Sequence, residues 1–260
     1  RVRLVKHVES LSMEPRLTSG TSATPEDAAK RIGANATIAV VLPEVWDLET
    51  VGSAAALVSG LRAIGKTVSL FAPPFDQQSP TLWNALAEDN EPLREFIISF
   101  DLARSPIKEL KYERGDNRLD IILSPTGRIR REDVEFRWGD LRYDLIITIG
   151  VPALEAAASS VRRAPELLHE KPILNIDTDP ANQNYGDLNV VPEGAADTPT
   201  LPEIIDQVLS SLGVAANDPE RATALFSSLA AATGEFRPEQ TSAGAFRLAG
   251  ELKTRGADPA

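Results

Sequence analysis

The sequence predicts an α/β fold with a doubly wound, mostly parallel β-sheet. Four continuous apolar runs have the length of strands, at residues 37–42, 67–71, 144–149 and 173–176. Runs without polar alternation are typical of strands that are covered on both faces, as in parallel sheets. Helical patterns separate these runs, and a strand-helix-strand order implies a right-handed parallel crossover. We therefore expect helices on both faces of the sheet.

The N-terminal residues lack the patterns of regular structure. Residues 10–24 are rich in Ser and Thr and have no apolar period, so we expect a flexible lead-in over residues 1–24. Thr24 then offers a hydroxyl cap before Pro25 and two acidic residues, which is typical of a helix start. The main α/β domain is expected to extend from that helix over residues 25–260.

The remaining helices are predicted from apolar spacing and from glycines. One helix is expected from about Val51 to Ile64, and another over 152–162. The C-terminal region predicts three more, beginning near Leu201, Asp218 and Ser242. The first of these has apolar residues at the spacing of one buried helix face, namely Leu201, Ile204, Ile205, Val208, Leu209 and Leu212.

Residues 101–138 depart from the parallel pattern and predict a β-rich insertion. Lys108–Arg114 and Arg118–Leu123 flank Gly115-Asp116-Asn117, which is a hairpin signal. We expect this β-hairpin to be inserted into the α/β domain, with further strands on either side of it over 96–100 and 134–138.

The composition of the chain excludes several classes of protein. A formal net charge of −11 over 260 residues disfavours a nucleic-acid surface, because phosphate backbones are held mainly by Lys and Arg. The absence of cysteine excludes disulfides, thiolate metal sites and cysteine nucleophiles. No apolar stretch approaches the roughly 20 residues that span a bilayer. We therefore expect a cytoplasmic protein that does not engage a membrane.

The most informative stretch is 173–189. Asn175-Ile176-Asp177 ends an apolar run and is followed by Thr178-Asp179-Pro180, then Asn182, then Tyr185-Gly186-Asp187. This stretch resembles the one that gives the DHH phosphoesterase family its name, roughly Asn-Ile-Asp-His-His-Pro-x-Asn-x-x-Phe-Gly-Asp. Thr178 and Asp179 stand where that pattern has its two histidines.

Further segments extend the resemblance over about residues 35–258. Val51-Gly-Ser-Ala-Ala-Ala-Leu57 is similar to the family's Gly-Ser helix entry, and Thr233-Gly234 followed by Phe236-Arg237 is similar to its Thr-Gly-x-Phe-Arg block. The inserted hairpin is similar to one in divergent bacterial members. The family's C-terminal substrate domain, with its Gly-rich His motif, is expected to be absent, since the sequence ends at Ala260.

The resemblance implies a metal site that has lost most of its ligands. Family enzymes hold two Mn²⁺ or Mg²⁺ ions with acids and histidines, and the ion pair activates water and clamps the phosphate. Four usual ligand positions carry Pro43, Gly150, Thr178 and Ala232. Other motif positions, the remnant positions, remain recognisable. They are the four acids and the Thr-Gly pair, namely Asp47, Glu49, Asp177, Asp179, Thr233 and Gly234.

All remnant positions except Asp177 also have an ordinary structural interpretation. Asp47 and Glu49 precede a helix, where acids are stabilised by the helix dipole. Asp179 precedes a proline, which is usual turn chemistry, and Thr233-Gly234 fits a tight turn after a helix. Asp177 follows a strand at the end where ligands bind in open α/β sheets. Asp47, Glu49 and Asp177 are the weak candidates for metal ligands.

Three functional hypotheses remain open at this point. The first is a catalytically degenerate domain that binds a protein partner or a small phosphate-containing ligand and needs no cofactor. The second is a phosphodiesterase with a reduced, acid-only site, in which a single weakly bound Mn²⁺ or Mg²⁺ acts on short oligonucleotides or cyclic dinucleotides. The third is an assembly module that pairs with another protein or forms a homo-oligomer.

Overall fold

The chain separates into two compact units. The computed structural model describes residues 20–73, 92–163, 167–193 and 198–258. Leu93–Arg142 form a smaller unit, which contains the predicted insertion over 101–138, and the flanking segments form the main unit. Most of the predicted flexible lead-in lies outside the described residues.

The main unit is built on a six-stranded sheet in which all neighbouring strands are parallel. This confirms the predicted α/β fold class. The strand order is β1-β10-β9-β8-β2-β3. The strands are β1 (Thr21–Ser22), β2 (Thr37–Val41), β3 (Thr67–Phe71), β8 (Leu145–Ile149), β9 (Ile173–Ile176) and β10 (Leu188–Val190).

Helices flank this sheet. The described helices are α1 (Pro25–Gly33), α2 (Leu48–Ala63), α3 (Leu167–Glu170), α4 (Leu201–Ser211), α5 (Pro219–Ala232) and α6 (Ala243–Thr254). One core joins α1, α2, α4, α5 and α6 to the strand side chains that point to one sheet face, such as Val40, Ile147 and Ile176. Burial of this apolar surface is the main stabilising contribution to the fold.

The opposite face of the central strands is also buried but more polar. Thr148 and Asn175 alternate with the apolar residues of β8 and β9, and both side chains are fully buried. Buried polar groups need hydrogen-bond partners inside the protein. This face therefore requires a polar network, which lies next to the candidate site.

Close packing of α2 on α5 depends on a glycine. A Cβ built on Gly52 would lie 2.7 Å from the carbonyl oxygen of Ala224 and 2.8 Å from the Cβ of Ser228. One residue further along, the hydroxyls of Ser53 and Ser228 are hydrogen-bonded over 2.8 Å in the core. The Gly-Ser pair thus lets the two helix backbones approach each other.

The structure differs from the sequence-based prediction in two elements. Residues 152–162 form two 3₁₀ turns, Leu154–Ala156 and Ser159–Arg163, because extended residues between them pair with the chain after β2. In the lead-in predicted to be flexible, Thr21 and Ser22 instead form β1, which pairs with β10. Such short pairings carry little sequence signal.

The smaller unit contains two antiparallel two-stranded sheets. One pairs β4 (Arg94–Phe100) with β7 (Val134–Leu141), and the other is the predicted hairpin of β5 (Ile107–Arg114) and β6 (Leu119–Pro125). The buried Asp133 accepts hydrogen bonds from the hydroxyl of Ser105 and from the backbone N–H of Arg130, at 2.8 Å each.

Candidate functional site

The candidate site lies at the carboxyl ends of three neighbouring strands. Pairing of β2 with β8 places Pro43 level with Gly150, and pairing of β8 with β9 places Gly150 level with Asp177. The strand order reverses at β2: β3 follows β2 on one side in the sheet, whereas β8 and β9 lie on the other side. Ligands bind open α/β sheets at such a switch point.

Asp47 caps the helix that begins at this edge. Its Oδ1 accepts a hydrogen bond of 2.8 Å from the backbone N–H of Thr50, and its side chain is exposed. Because the cap fixes the start of α2 at Leu48, the helix begins three residues before the predicted Val51. The predicted N-terminal role of Asp47 is confirmed.

Glu49 connects the first turn of α2 to the start of α4. Its Oε1 accepts a hydrogen bond of 3.1 Å from the backbone N–H of Leu201. Burial raises the pKa of Glu49 to about 7, and repulsion from Asp47 and Asp177 adds to this, while the hydrogen bond from Leu201 opposes it. Glu49 is therefore partly protonated at neutral pH.

Asp177 is buried, with 3% of its surface exposed. Its Oδ2 accepts a hydrogen bond of 2.6 Å from the side-chain amide of Asn182. Its Oδ1 accepts from the backbone N–H groups of Thr178 at 2.7 Å and Asp179 at 3.1 Å. Burial raises the pKa of Asp177, and these three hydrogen bonds oppose the rise. The carboxylate is thus bound by protein donors on both oxygens.

Asn182 belongs to a buried polar network that includes Thr148 and Asn175 from the polar face of the central strands. The Asn175 amide donates to Oδ1 of Asn182 at 2.8 Å and to Oδ1 of Asn189 at 3.0 Å. The Tyr185 hydroxyl lies 2.8 Å from both the Thr148 hydroxyl and the carbonyl oxygen of Val151. Asn175, Asn182 and Tyr185 occur in the 173–189 motif, but their spacing did not reveal this network or the hydrogen bond from Asn182 to Asp177.

Asp179 lies at the surface in a turn. Its Oδ1 accepts a hydrogen bond of 2.8 Å from the backbone N–H of Ala181, and the side chain is exposed. Its charge adds to the rise in the pKa of Asp177. Electrostatic interactions therefore link all four remnant acids, from Asp47 through Glu49 and Asp177 to Asp179.

Thr233 and Gly234 form the turn that ends α5. The buried Thr233 hydroxyl donates to the carbonyl oxygen of Leu229 at 2.7 Å and accepts from the N–H of Phe236 at 3.2 Å. Gly234, Glu235 and Phe236 all have positive φ, at 57°, 63° and 61°. Non-glycine residues rarely adopt this conformation, so the turn stores backbone strain. Both hydrogen bonds of the Thr233 hydroxyl are thus made within the turn.

Gly150 is held in a conformation that favours glycine. Its φ is +61°, and a Cβ at this position would lie 3.0 Å from Oγ1 of Thr50. The first turn of α2 therefore occupies the space next to Gly150. An aspartate here, as the DHH pattern has, would meet both backbone strain and a steric contact.

The residues present do not fit a dinuclear metal centre. Within the described ranges, no three His, Cys, Asp or Glu side chains are grouped so that they could hold a metal ion. Two divalent cations need several anionic or imidazole ligands to offset their repulsion and lost hydration. Asp47, Glu49 and Asp177 instead direct carboxylate oxygens at backbone or side-chain donors.

The fold and the position of these polar residues define a parallel α/β protein with its candidate site at the carboxyl edge of the sheet. The fold is similar to that of an exopolyphosphatase-related protein from Bacteroides fragilis, with a TM-score of 0.56 and 13% sequence identity. The aligned region covers 90% of this chain and 57% of that protein, so the chain spans little more than half of its length. At this identity, the similarity shows a shared α/β fold.

No protein-family profile and no curated protein sequence matches this chain.

None of the helices in the described part of the chain is long and apolar enough to cross a membrane.

Proposed function

We propose that this chain is a catalytically degenerate relative of the DHH phosphoesterases that acts by binding rather than by hydrolysis. The observation that carries the proposal is the environment of Asp177. Its two carboxylate oxygens accept three hydrogen bonds from Asn182, Thr178 and Asp179, and the side chain is buried. A carboxylate has about four lone pairs, and protein donors use three of them here, so only one lone pair, on Oδ2, is left for an ion.

The neighbouring positions support the same proposal. Pro43 and Gly150 lie level with Asp177 at the sheet edge, where the DHH pattern has a His and an Asp. Neither residue offers a ligand atom in its side chain. Losing several residues that bind the ions directly is more severe than losing one residue that only hydrogen-bonds a ligand, a loss that typically costs about 10–100-fold in metal affinity or activity.

The charges around Glu49 favour a protein partner over a free phosphate ester. The two charges that raise the pKa of Glu49 are both negative, those of Asp47 and Asp177. A phosphate group would meet this negative field unless a cation accompanied it. We therefore place protein binding first and a small phosphate-containing ligand second.

A hydrolysis assay tests the proposal. The chain is incubated with a short oligonucleotide or a cyclic dinucleotide in the presence of Mn²⁺, alongside Asp177→Ala and the surface control Asp179→Ala. We expect the same background rate for all three proteins. Mn²⁺-dependent turnover that Asp177→Ala abolishes and Asp179→Ala retains would overturn the proposal.

One observation favours a second candidate, a reduced metal-dependent phosphodiesterase. Asp47 and Asp177 both raise the pKa of Glu49 by repulsion, so the three acids lie close enough to interact. A single divalent cation would relieve that repulsion. In this case Mg²⁺ would lower the pH at which Glu49 ionises, which carboxyl NMR titration with and without Mg²⁺ would detect, with Glu49→Gln used to assign the Glu49 signal.

A further inference from the structure

The hairpin of the smaller unit has one apolar face that is exposed. Cross-strand pairing places Leu110 opposite Leu123 and Tyr112 opposite Ile121 on the same face. Leu110 is 60% exposed and Tyr112 is 73% exposed. The other face carries charged pairs such as Glu113 and Asp120. The hairpin therefore exposes an apolar face to water, which is energetically unfavourable.

The second sheet of the same unit has an exposed aromatic face. Phe96 pairs with Trp138, and Ile98 pairs with Phe136, so these side chains share one side of β4 and β7. The Phe96 ring centroid lies 5.9 Å from that of Phe136 and 5.5 Å from that of Trp138. All three rings are more than half exposed. Clustered exposed aromatic residues mark interaction surfaces.

The two sheets come together near Phe100 and Leu110. Phe100, on the same side of β4 as Phe96, lines one cavity together with Leu102, Ile107 and Leu110. Leu110 also borders the concave side of the hairpin next to Tyr112. We call the combined surface the insertion face, defined by Phe96, Phe136, Trp138, Leu110, Tyr112 and Leu119.

Two-stranded sheets are marginally stable in water unless a further strand or a packed layer covers them. Within the described residues, β5 pairs only with β6 and β4 only with β7. Both sheets thus keep an apolar face and open strand edges. A partner on the insertion face would cover the apolar side chains and exclude water from the strand hydrogen bonds.

We propose that the insertion face is the interface of a homodimer of this chain, and this inference does not depend on the proposed function. Charge supports a second copy as the occupant. Residues 93–142 carry eleven Lys and Arg against ten Asp and Glu, whereas the whole chain has a net charge of −11. Two acidic copies repel each other, and this repulsion is weakest between their nearly neutral units.

The area of the insertion face also fits a dimer. Its four aromatic side chains are 57–73% exposed, so they offer on the order of 400–600 Å² of the roughly 150–250 Å² that each would cover when fully buried. Leu110, Leu119 and Ile121, with exposures of 60%, 61% and 46%, add to this area. The total approaches the roughly 800 Å² that each partner contributes to a stable interface.

Sedimentation velocity of the full chain over a range of concentrations tests the homodimer. Wild type is expected to be dimeric at micromolar concentration, with Tyr112→Lys and Trp138→Lys weakening dimerisation by about 30-fold or more, as for central aromatic interface residues. Ile122→Lys is the matched control, because Ile122 lies on the opposite face of the hairpin and is 39% exposed. That variant should dimerise like wild type.

Circular dichroism verifies that each variant is folded, and hydrogen exchange gives a second readout of the same interface. Amides of β5 and β6 should become more protected as wild type is concentrated, but not in Tyr112→Lys. A wild-type chain that stays monomeric at high micromolar concentration would overturn the proposal. So would a dimer that both lysine variants retain.

Discussion

Asn182 donates its side-chain amide to Oδ2 of Asp177 over 2.6 Å, and both residues are buried. The same asparagine accepts, through its Oδ1, hydrogen bonds from the Asn175 amide at 2.8 Å and the Asn184 backbone at 2.8 Å. These acceptor contacts fix the orientation of the Asn182 amide. Asp177 is therefore the acceptor that the buried Asn182 amide and the N–H groups of Thr178 and Asp179 require.

Removing this acceptor should destabilise the fold. We expect Asp177→Ala to lower the free energy of unfolding by about 2–4 kcal/mol, because buried donors lose their partner. Asp177→Asn should also be destabilising, since its new amide would face the amide of Asn182. Urea denaturation measures both changes. Asp179→Ala is the control and should change stability by only about 0.5 kcal/mol, as for other exposed positions.

An Asp177→Asn variant as stable as wild type would show that Asn182 can reorient, which would contradict the fixed network.

Glu49 should make stability fall as pH rises. Its pKa is 4.5 when unperturbed and about 7 in the fold, so the folded state binds the proton more tightly than the unfolded state. Stability is then highest at and below pH 4.5, decreases up to about pH 7 and levels off above it, as far as Glu49 alone is concerned. The expected decrease is about 1–3 kcal/mol for this half-buried group.

Glu49→Gln should remove this contribution while keeping an oxygen for the N–H of Leu201. Urea midpoints of wild type and Glu49→Gln, measured across this pH range, give the difference. We expect the variant to gain stability over wild type as pH rises. Parallel curves for the two proteins would rule out the raised pKa.

The glycine between α2 and α5 should not tolerate a methyl group. Gly52→Ala would place a carbon 2.7 Å from the carbonyl oxygen of Ala224, so we expect a loss of about 1–3 kcal/mol. Gly250→Ala in α6 is the matched control, because no heavy atom lies within 4 Å of its added Cβ. That variant should gain up to about 1 kcal/mol from helix propensity. Thermal unfolding compares the two, and equal effects would argue against close helix contact.

Gly150 should resist conversion to the aspartate of the DHH pattern. Gly150→Ala is expected to lose about 2–3 kcal/mol, from its φ of +61° and from the contact with Thr50. Gly213→Ala isolates the backbone effect, since its φ is +71° and nothing lies within 4 Å. It should lose about 1 kcal/mol. A smaller loss at Gly150 than at Gly213 would exclude the steric contribution of Thr50.

Much of the fold was predictable because buried strands and amphipathic helices have strong local patterns. The apolar runs at 37–42 and 144–149 correspond to β2 and β8, and Gly115-Asp116-Asn117 connects β5 to β6. The helix predicted over 152–162 does not form, because pairing of Ala157 with Pro43 decides its conformation. No local pattern records a contact between segments so far apart in sequence.

The candidate site was predictable in position but not in its interactions. Asp177 follows a strand at the end where ligands bind in open α/β sheets, and the register of β2, β8 and β9 places Pro43 and Gly150 level with it. The hydrogen bond between Glu49 and Leu201 joins residues 152 positions apart, so spacing could not reveal it. The role of Asn182 was missed because the hydrogen bond to Asp177 depends on the conformation of the segment between them, which no local pattern records.

Metal stoichiometry is the most direct test of the central claim that the remnant acids serve the fold rather than a dinuclear centre. Equilibrium dialysis of the full chain against Mn²⁺ measures the number of bound ions and their affinity, with Asp177→Ala and Asp179→Ala alongside. We expect at most one weakly bound ion per chain and no dependence on Asp177. Two tightly bound ions in wild type, lost in Asp177→Ala, would contradict the account.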